Sequence, residues 1–179
     1  MKNNQKSASF KNYVFAAMLA SLVLMGTMFF KVPSVNGYVH IGDSFIYLAS
    51  AVLPFPFSVL AAGIGAGLAD ILLGYVTYFP FTFVVKGLMA LCFSSRGEKF
   101  LTVRNIIAIV CASAVNVIGY YFVEVIMYPQ AGGLVATLVY ALQTIPGNLV
   151  QSGTASVIFV VTALALDKMN FKSAIDKLS

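Results

Sequence analysis

The stretch Leu134–Leu166 reads LVATLVYALQTIPGNLVQSGTASVIFVVTALAL and holds no Asp, Glu, Lys, Arg or His. An apolar run of this kind has lipid, not water, as its solvent. It is too long for one crossing, because about 20 apolar residues span the hydrocarbon core of a bilayer. Pro146-Gly147 offers a break inside it, so the sequence predicts a shorter helix ahead of the break and a final span over roughly 147–166.

Working outward, the same pattern recurs along the chain. Apolar runs predict helices over roughly 11–30, 43–53, 57–73, 80–93 and 104–126. They are separated by polar or Pro/Gly-rich segments: Lys31–Gly37, Pro54-Phe55-Pro56, Gly74–Phe79, Ser94–Val103 and Tyr128–Gly133. Of the 179 residues, 60% are hydrophobic and 9% charged, against about 25% charged in a soluble domain. So few charges cannot build a water-facing surface. The expected fold is an all-α membrane protein, a six-transmembrane-helix bundle forming one integral membrane domain over residues 1–179. The first run, Tyr13–Phe30, is long for a signal peptide and lacks a clear small-x-small cleavage site, so it reads as a retained first helix.

The basic residues orient this bundle. With six spans, Lys2, Lys6, Lys11, Arg96, Lys99, Arg104, Lys168, Lys172 and Lys177 fall on one side and Lys31 alone on the other. The positive-inside rule makes the rich side cytoplasmic, with both termini there. The net charge of +5 is thus a topology signal and not a nucleic-acid footprint. Cys92 and Cys111 lie in apolar runs and form no CxxC pair, so they read as buried small hydrophobes with no metal or redox role. The single histidine, His40, cannot supply the metal chemistry of an intramembrane hydrolase, and no enzyme is expected.

Ionisable and amide groups inside lipid are costly unless they pair or face a cavity. Lys86 lies about two turns into the fourth helix. Asn116, Tyr120 and Glu124 share one face of the fifth at i, i+4, i+8. Asn148 and Gln151 open the last span, with Gln143 ahead of the break. These groups, with Tyr78 and Tyr140, suit a polar, aromatic pocket open to the outside; a structural Lys86–Glu124 pair with interhelical amide bonds is the other reading. In the loop before the second helix, Asp43 is placed to cap that helix, and His40 is either solvated or part of a lid. Gly63 and Gly67 form a small-xxx-small face, and Asp70 beyond them caps or pairs. Ala16-xxx-Ala20, beside Ala17-xxx-Ser21, repeats the small-residue device on the first helix, for internal packing or for docking on another membrane protein.

Taken together, these features resemble the substrate-binding S components of energy-coupling factor (ECF) vitamin transporters. The carriers are Ala16-xxx-Ala20, the Gly37-Tyr38-Val39-His40-Ile41-Gly42-Asp43 loop, Leu53-Pro54, the Gly63–Asp70 stretch, Pro80 with Lys86-Gly87, and Pro146-Gly147-Asn148 with Gln151. The resemblance covers nearly the whole chain. It implies a multi-pass protein of a prokaryotic plasma membrane that binds a vitamin or related small molecule from outside, in a site built by helices 4–6 and the outer loops. It implies docking of helices 1–3, through Ala16, Ala17 and Ala20, on a transmembrane coupling subunit, with two cytoplasmic ATPase subunits driving the cycle. The chain itself needs no cofactor, and it has no GxxxxGK[ST] phosphate loop. Flavin, pyridoxine-like and pyrimidine-like ligands all suit aromatics, amides and one lysine. A stand-alone transporter or channel is the alternative; the absence of a clear inverted repeat counts against it.

Overall fold

The computed structural model describes residues 2–34 and 37–176, with side chains from Phe10 to Ile175. Lys177 and the side chains of Lys2 and Lys6 lie outside the described residues. The helices are α1 (Lys2–Met28), α2 (Gly42–Val52), α3 (Phe57–Leu72), α4 (Phe79–Cys92), α5 (Val103–Met127), α6 (Gly133–Ala141), α7 (Ile145–Lys168) and α8 (Phe171–Asp176). Three helical stretches, Phe10–Met28, Val103–Met127 and Gly133–Lys168, are long and apolar enough to cross a membrane; Phe57–Leu72 and Val76–Cys92 are shorter apolar helices. Their outward faces are apolar as well: Ile106, Val110, Phe122, Ile126, Val157 and Val161 are all exposed, as expected where lipid is the solvent.

Local chemistry explains the boundaries. Thr102 caps α5 by accepting the Asn105 N–H at 3.2 Å. Pro80 sits in the first turn of α4, where its missing N–H costs nothing. Gly74, at φ +87°, ends α3 in a left-handed turn. There the Tyr75 N–H reaches the Asp70 carbonyl at 2.8 Å and the Gly74 N–H reaches that of Ile71 at 3.2 Å, a Schellman closure. The turn fixes Tyr75 directly beside the end of α3.

Three expectations change. Pro146-Gly147 does not break the chain: a 3-10 turn over Leu142–Thr144 carries α6 into α7 without a loop, and Pro146 lies in the first turn of α7. Proline at a helix start is preorganised for the helix, so the tightening falls just before it. The loop over 31–37 is in part a strand. Lys31–Pro33 (β1) pairs antiparallel with Tyr38–His40 (β2), in the register Lys31↔His40 and Val32↔Val39. The first helix also begins earlier than expected, at Lys2 rather than near residue 11.

Inside the bundle α3 packs on α4 and on α1. Added side-chain carbon at Gly63 or Gly67 would lie 2.7 Å from the rings of Phe83 and Phe79, so this small-residue face is filled by α4 aromatics. Tyr47, Phe93 and Phe159 form the aromatic centre of the core, with ring centroids 4.9–5.9 Å apart. One end of the bundle is tied by polar contacts of charged residues. Lys11 Nζ donates to the Ile175 carbonyl at 2.7 Å, and the Asp167 carboxylate accepts the Phe100 and Leu101 N–H groups at 2.7 and 3.0 Å. Lys172 lies over the Phe100 ring. The cavity described next opens at the other end, where α1 finishes.

Candidate functional site: a polar cavity under the hairpin

The cavity lies between the end of α1, the hairpin, the second half of α3, the turn into α4, the second half of α5 and the start of α7. It contains about 630 Å³ of atom-free space, its open mouth included. Its aromatic wall is Tyr38, Tyr75, Tyr78 and Tyr120; its polar groups include His40, Asp70, Thr82, Glu124, Asn148 and Gln151. Tyr38 and Tyr75 stand 5.4 Å apart with tilted rings, and Tyr75 meets Tyr78 edge-on at 6.2 Å.

The hairpin roofs the cavity and is anchored through β2 and through Ser34, just beyond β1. A side chain at Gly147 would lie 2.9 Å from Ser34 Oγ and 3.4 Å from Val39 Cγ2, so glycine here lets the hairpin rest on the start of α7. The His40 N–H donates to Gln151 Oε1 at 3.1 Å. Tyr38 Oη donates to Asp70 Oδ1 at 2.6 Å, tying the roof to α3. His40 is buried, with its Nδ1 accepting the Gly42 N–H at 3.0 Å. Burial lowers its pKa to about 4, with the Lys86 charge acting in the same direction and Asp43 opposing. The ring is therefore neutral at physiological pH. It is part of the roof, not a solvated loop side chain. Burial pushes the Tyr38 phenol up, with Asp70 adding to the effect.

Behind the cavity lies a closed polar network. Lys86 Nζ is 2.7 and 3.0 Å from the two Asp43 oxygens, and donates to Asn116 Oδ1 at 2.8 Å. Its ammonium stands 5.0 Å from the Tyr120 ring centroid. Gln151 Nε2 donates to Asp43 Oδ2 at 2.8 Å. Asn116 Nδ2 donates to Asn148 Oδ1 at 3.3 Å and to Ser152 Oγ at 3.2 Å. Four helices, α2, α4, α5 and α7, are joined this way.

The sequence-predicted residues thus divide. His40, Tyr78, Tyr120, Glu124, Asn148 and Gln151 line the cavity. Lys86 and Asn116, both with no exposed surface, do not; they form the network behind it. Gln143, in the 3-10 turn, and Tyr140 on α6 also stand outside the lining. The Lys86–Glu124 pair is corrected: Lys86 pairs with Asp43, while Glu124 Oε1 accepts the Tyr78 hydroxyl at 2.9 Å. Asp43 is not the cap of α2, because its carboxylate is turned inward to the lysine; Ile41 holds the cap position without a side-chain bond. Asp70 pairs with Tyr38 and caps nothing. Thr27, Tyr38, Tyr75, Thr82 and Thr144 also line the cavity and were not singled out from the sequence as cavity residues. Asp70 carried a signal, an acid in an apolar helix. The tyrosines of 75–78 flank a turn and carried only their aromatic character.

On α1, Ala16 and Ala20 are half-buried against a small cluster with Leu19, Ala49, Leu53 and Ala61, whereas Ala17 is exposed. A side chain at Gly65 would lie 2.6 Å from the Ala20 carbonyl oxygen, so α1 and α3 approach closely here. Among the described residues no group of three His, Cys, Asp or Glu could hold a metal ion.

A membrane bundle with one polar, aromatic cavity under a strand roof is a small-molecule binding protein of the membrane. The model of a family described as "ECF-type riboflavin transporter, S component" matches residues 7–168, and the chain belongs to that family. As a member of that family it is a transport protein that binds a vitamin-like substrate for import. A protein of Pyrococcus woesei described as "Uncharacterized protein in gap 3'region" is 27% identical over 124 residues, which cover 68% of this chain and 82% of that protein.

Proposed function

We propose that this chain captures a flavin from outside the cell and delivers it inward as part of an ECF-type importer. The family match carries the reading, and the four cavity tyrosines support it, because offset aromatic contacts suit a flat heteroaromatic ring. The amides and hydroxyls around them suit the polar edges and side chain of such a ligand. The binding residues are Tyr38, His40, Asp70, Tyr75, Tyr78, Tyr120, Glu124, Asn148 and Gln151. Lys86, Asn116 and Asp43 position Tyr120 and Gln151 from behind.

The chain forms one membrane domain with six spans, α1–α5 and the α6–α7 stretch, and both termini in the cytoplasm of a prokaryotic cell. The gathering of Lys11, Arg96, Lys99, Arg104, Lys168 and Lys172 toward the end opposite the cavity supports that orientation. The partners are a transmembrane coupling subunit, docked on α1–α3, and two cytoplasmic ATPases. Reconstituted uptake of riboflavin tests the reading: transport requires the coupling subunit and ATP hydrolysis. Uptake by the chain alone would instead identify a stand-alone transporter.

A further inference from the structure

The end of the bundle away from the cavity carries cations at the edge of its apolar outer surface. On α7 the exposed residues Val157, Val161 and Leu164 follow one another at helical spacing, and the next position in that row is Lys168, also exposed. On α5 the exposed row Val103, Ile107 and Val110 begins beside Arg104, which is exposed as well. Both helical stretches are long and apolar enough to cross a membrane, and the two cations stand at their boundaries: Arg104 is the second residue of Val103–Met127, and Lys168 is the last of Gly133–Lys168. At about 1.5 Å per residue, α5 and α7 are each longer than a hydrocarbon core of about 30 Å. Arg104 and Lys168 therefore lie at the depth of the lipid headgroups.

These two helix ends are held together. Asp167 accepts the Phe100 and Leu101 N–H groups, which ties the end of α7 to the segment before α5. That segment is fixed in turn by Asn105, which has no exposed surface. Its Nδ2 donates to the Ser94 and Phe100 carbonyls at 3.1 and 2.9 Å, and its Oδ1 accepts the Ser94 N–H at 2.9 Å. Arg96 and Lys99, both exposed, are carried on this fixed loop. Asp167 is turned to the backbone, and Glu98 is exposed on the loop. Among the described residues Arg96, Lys99, Arg104 and Lys168 form no ion pair. Positive charge suits a phosphate, and the apolar rows running down both helices suit acyl chains. An acidic protein surface would match the charge and leave the rows uncovered.

We infer that Arg104 and Lys168, with Arg96 and Lys99 beside them, form a docking surface for the headgroup of an anionic phospholipid, whose acyl chains run down the exposed rows of α5 and α7. This surface is separate from the cavity and independent of the ligand held there.

The test uses the full-length protein reconstituted in phosphatidylcholine vesicles, with spin-labelled phosphatidylglycerol or spin-labelled phosphatidylcholine as the probe. The immobilised fraction of each probe gives its relative affinity for the protein. Phosphatidylglycerol is expected to be held about tenfold more tightly than phosphatidylcholine, with the preference falling at high salt. Arg104→Gln and Lys168→Gln are each expected to lower that preference about fivefold. Both positions are exposed, so either variant checks the other. Lys31→Gln, which removes an exposed cation at the opposite end, is expected to leave the preference unchanged. Equal retention of the two probes by the unaltered protein overturns the inference. So does a preference that Lys31→Gln lowers as far as the other two variants, since it would then report net charge alone. Equal retention together with loss of coupled uptake in Arg104→Gln or Lys168→Gln would give the surface to an acidic protein partner, and overturns the inference as well.

Discussion

The Lys86 ammonium lies 2.7 Å from an Asp43 carboxylate oxygen, and neither side chain has any exposed surface. The pair joins α4 to α2 at the level of the cavity floor. Removing one partner of a buried pair leaves an uncompensated charge, at a cost of about 3–5 kcal/mol. Lys86→Met and Asp43→Leu are each expected to lower the thermal unfolding midpoint sharply, and the double variant to recover part of the loss. Thermal denaturation of the purified proteins checks this. Additive losses in the double variant would mean that the two side chains do not depend on each other.

The roof depends on Gly147. A valine there would push against Ser34 and Val39, lifting the hairpin from α7 without touching the core. Gly147→Val is expected to weaken riboflavin binding at least about tenfold, the equivalent of about 1.4 kcal/mol, with little change in unfolding midpoint. Amide exchange at His40, whose N–H is held by Gln151, should rise in the same variant. Unchanged affinity would show that the roof takes no part in binding.

Close packing of α3 on α4 sets a contrast between two glycines. Gly63→Leu is expected to destabilise by about 1–3 kcal/mol, because the new side chain meets the Phe83 ring. Gly153→Ala on α7 meets nothing within 4 Å and is expected to leave stability unchanged or slightly raised. Unfolding midpoints decide it; equal losses would contradict the packing described.

On α1 the small residues separate by exposure. Ala17→Trp is expected to spare ligand binding and abolish uptake with the coupling subunit. Ala20→Trp is expected to unfold or destabilise the protein, since Ala20 is pressed against α3 near Gly65. Uptake preserved in the Ala17 variant would place the docking surface elsewhere.

Much of this was legible in the chain because lipid leaves a coarse signal. Apolar runs and their Pro/Gly interruptions located the helices, and Tyr120 and Glu124, four residues apart on α5, both line the cavity, with Asn116 one turn away in the network behind it. Which polar groups met was not legible. Lys86 and Glu124 are both intramembrane charges on adjacent helices, but the lysine finds Asp43, forty-three residues earlier in the chain, through a packing of α2 on α4 that no local pattern encodes. The same holds for Tyr38 with Asp70. The hairpin was hidden because its strands are three residues long and rest on tertiary support from α7.

Whether the cavity under the hairpin binds a flavin is decided by titration of purified protein with riboflavin, followed by flavin fluorescence. Saturable binding of one flavin per chain is expected with Kd below about 1 μM, or about 8 kcal/mol, and at least about tenfold weaker binding in Tyr75→Ala and Tyr120→Ala. No saturable binding, or binding indifferent to both substitutions, would contradict it.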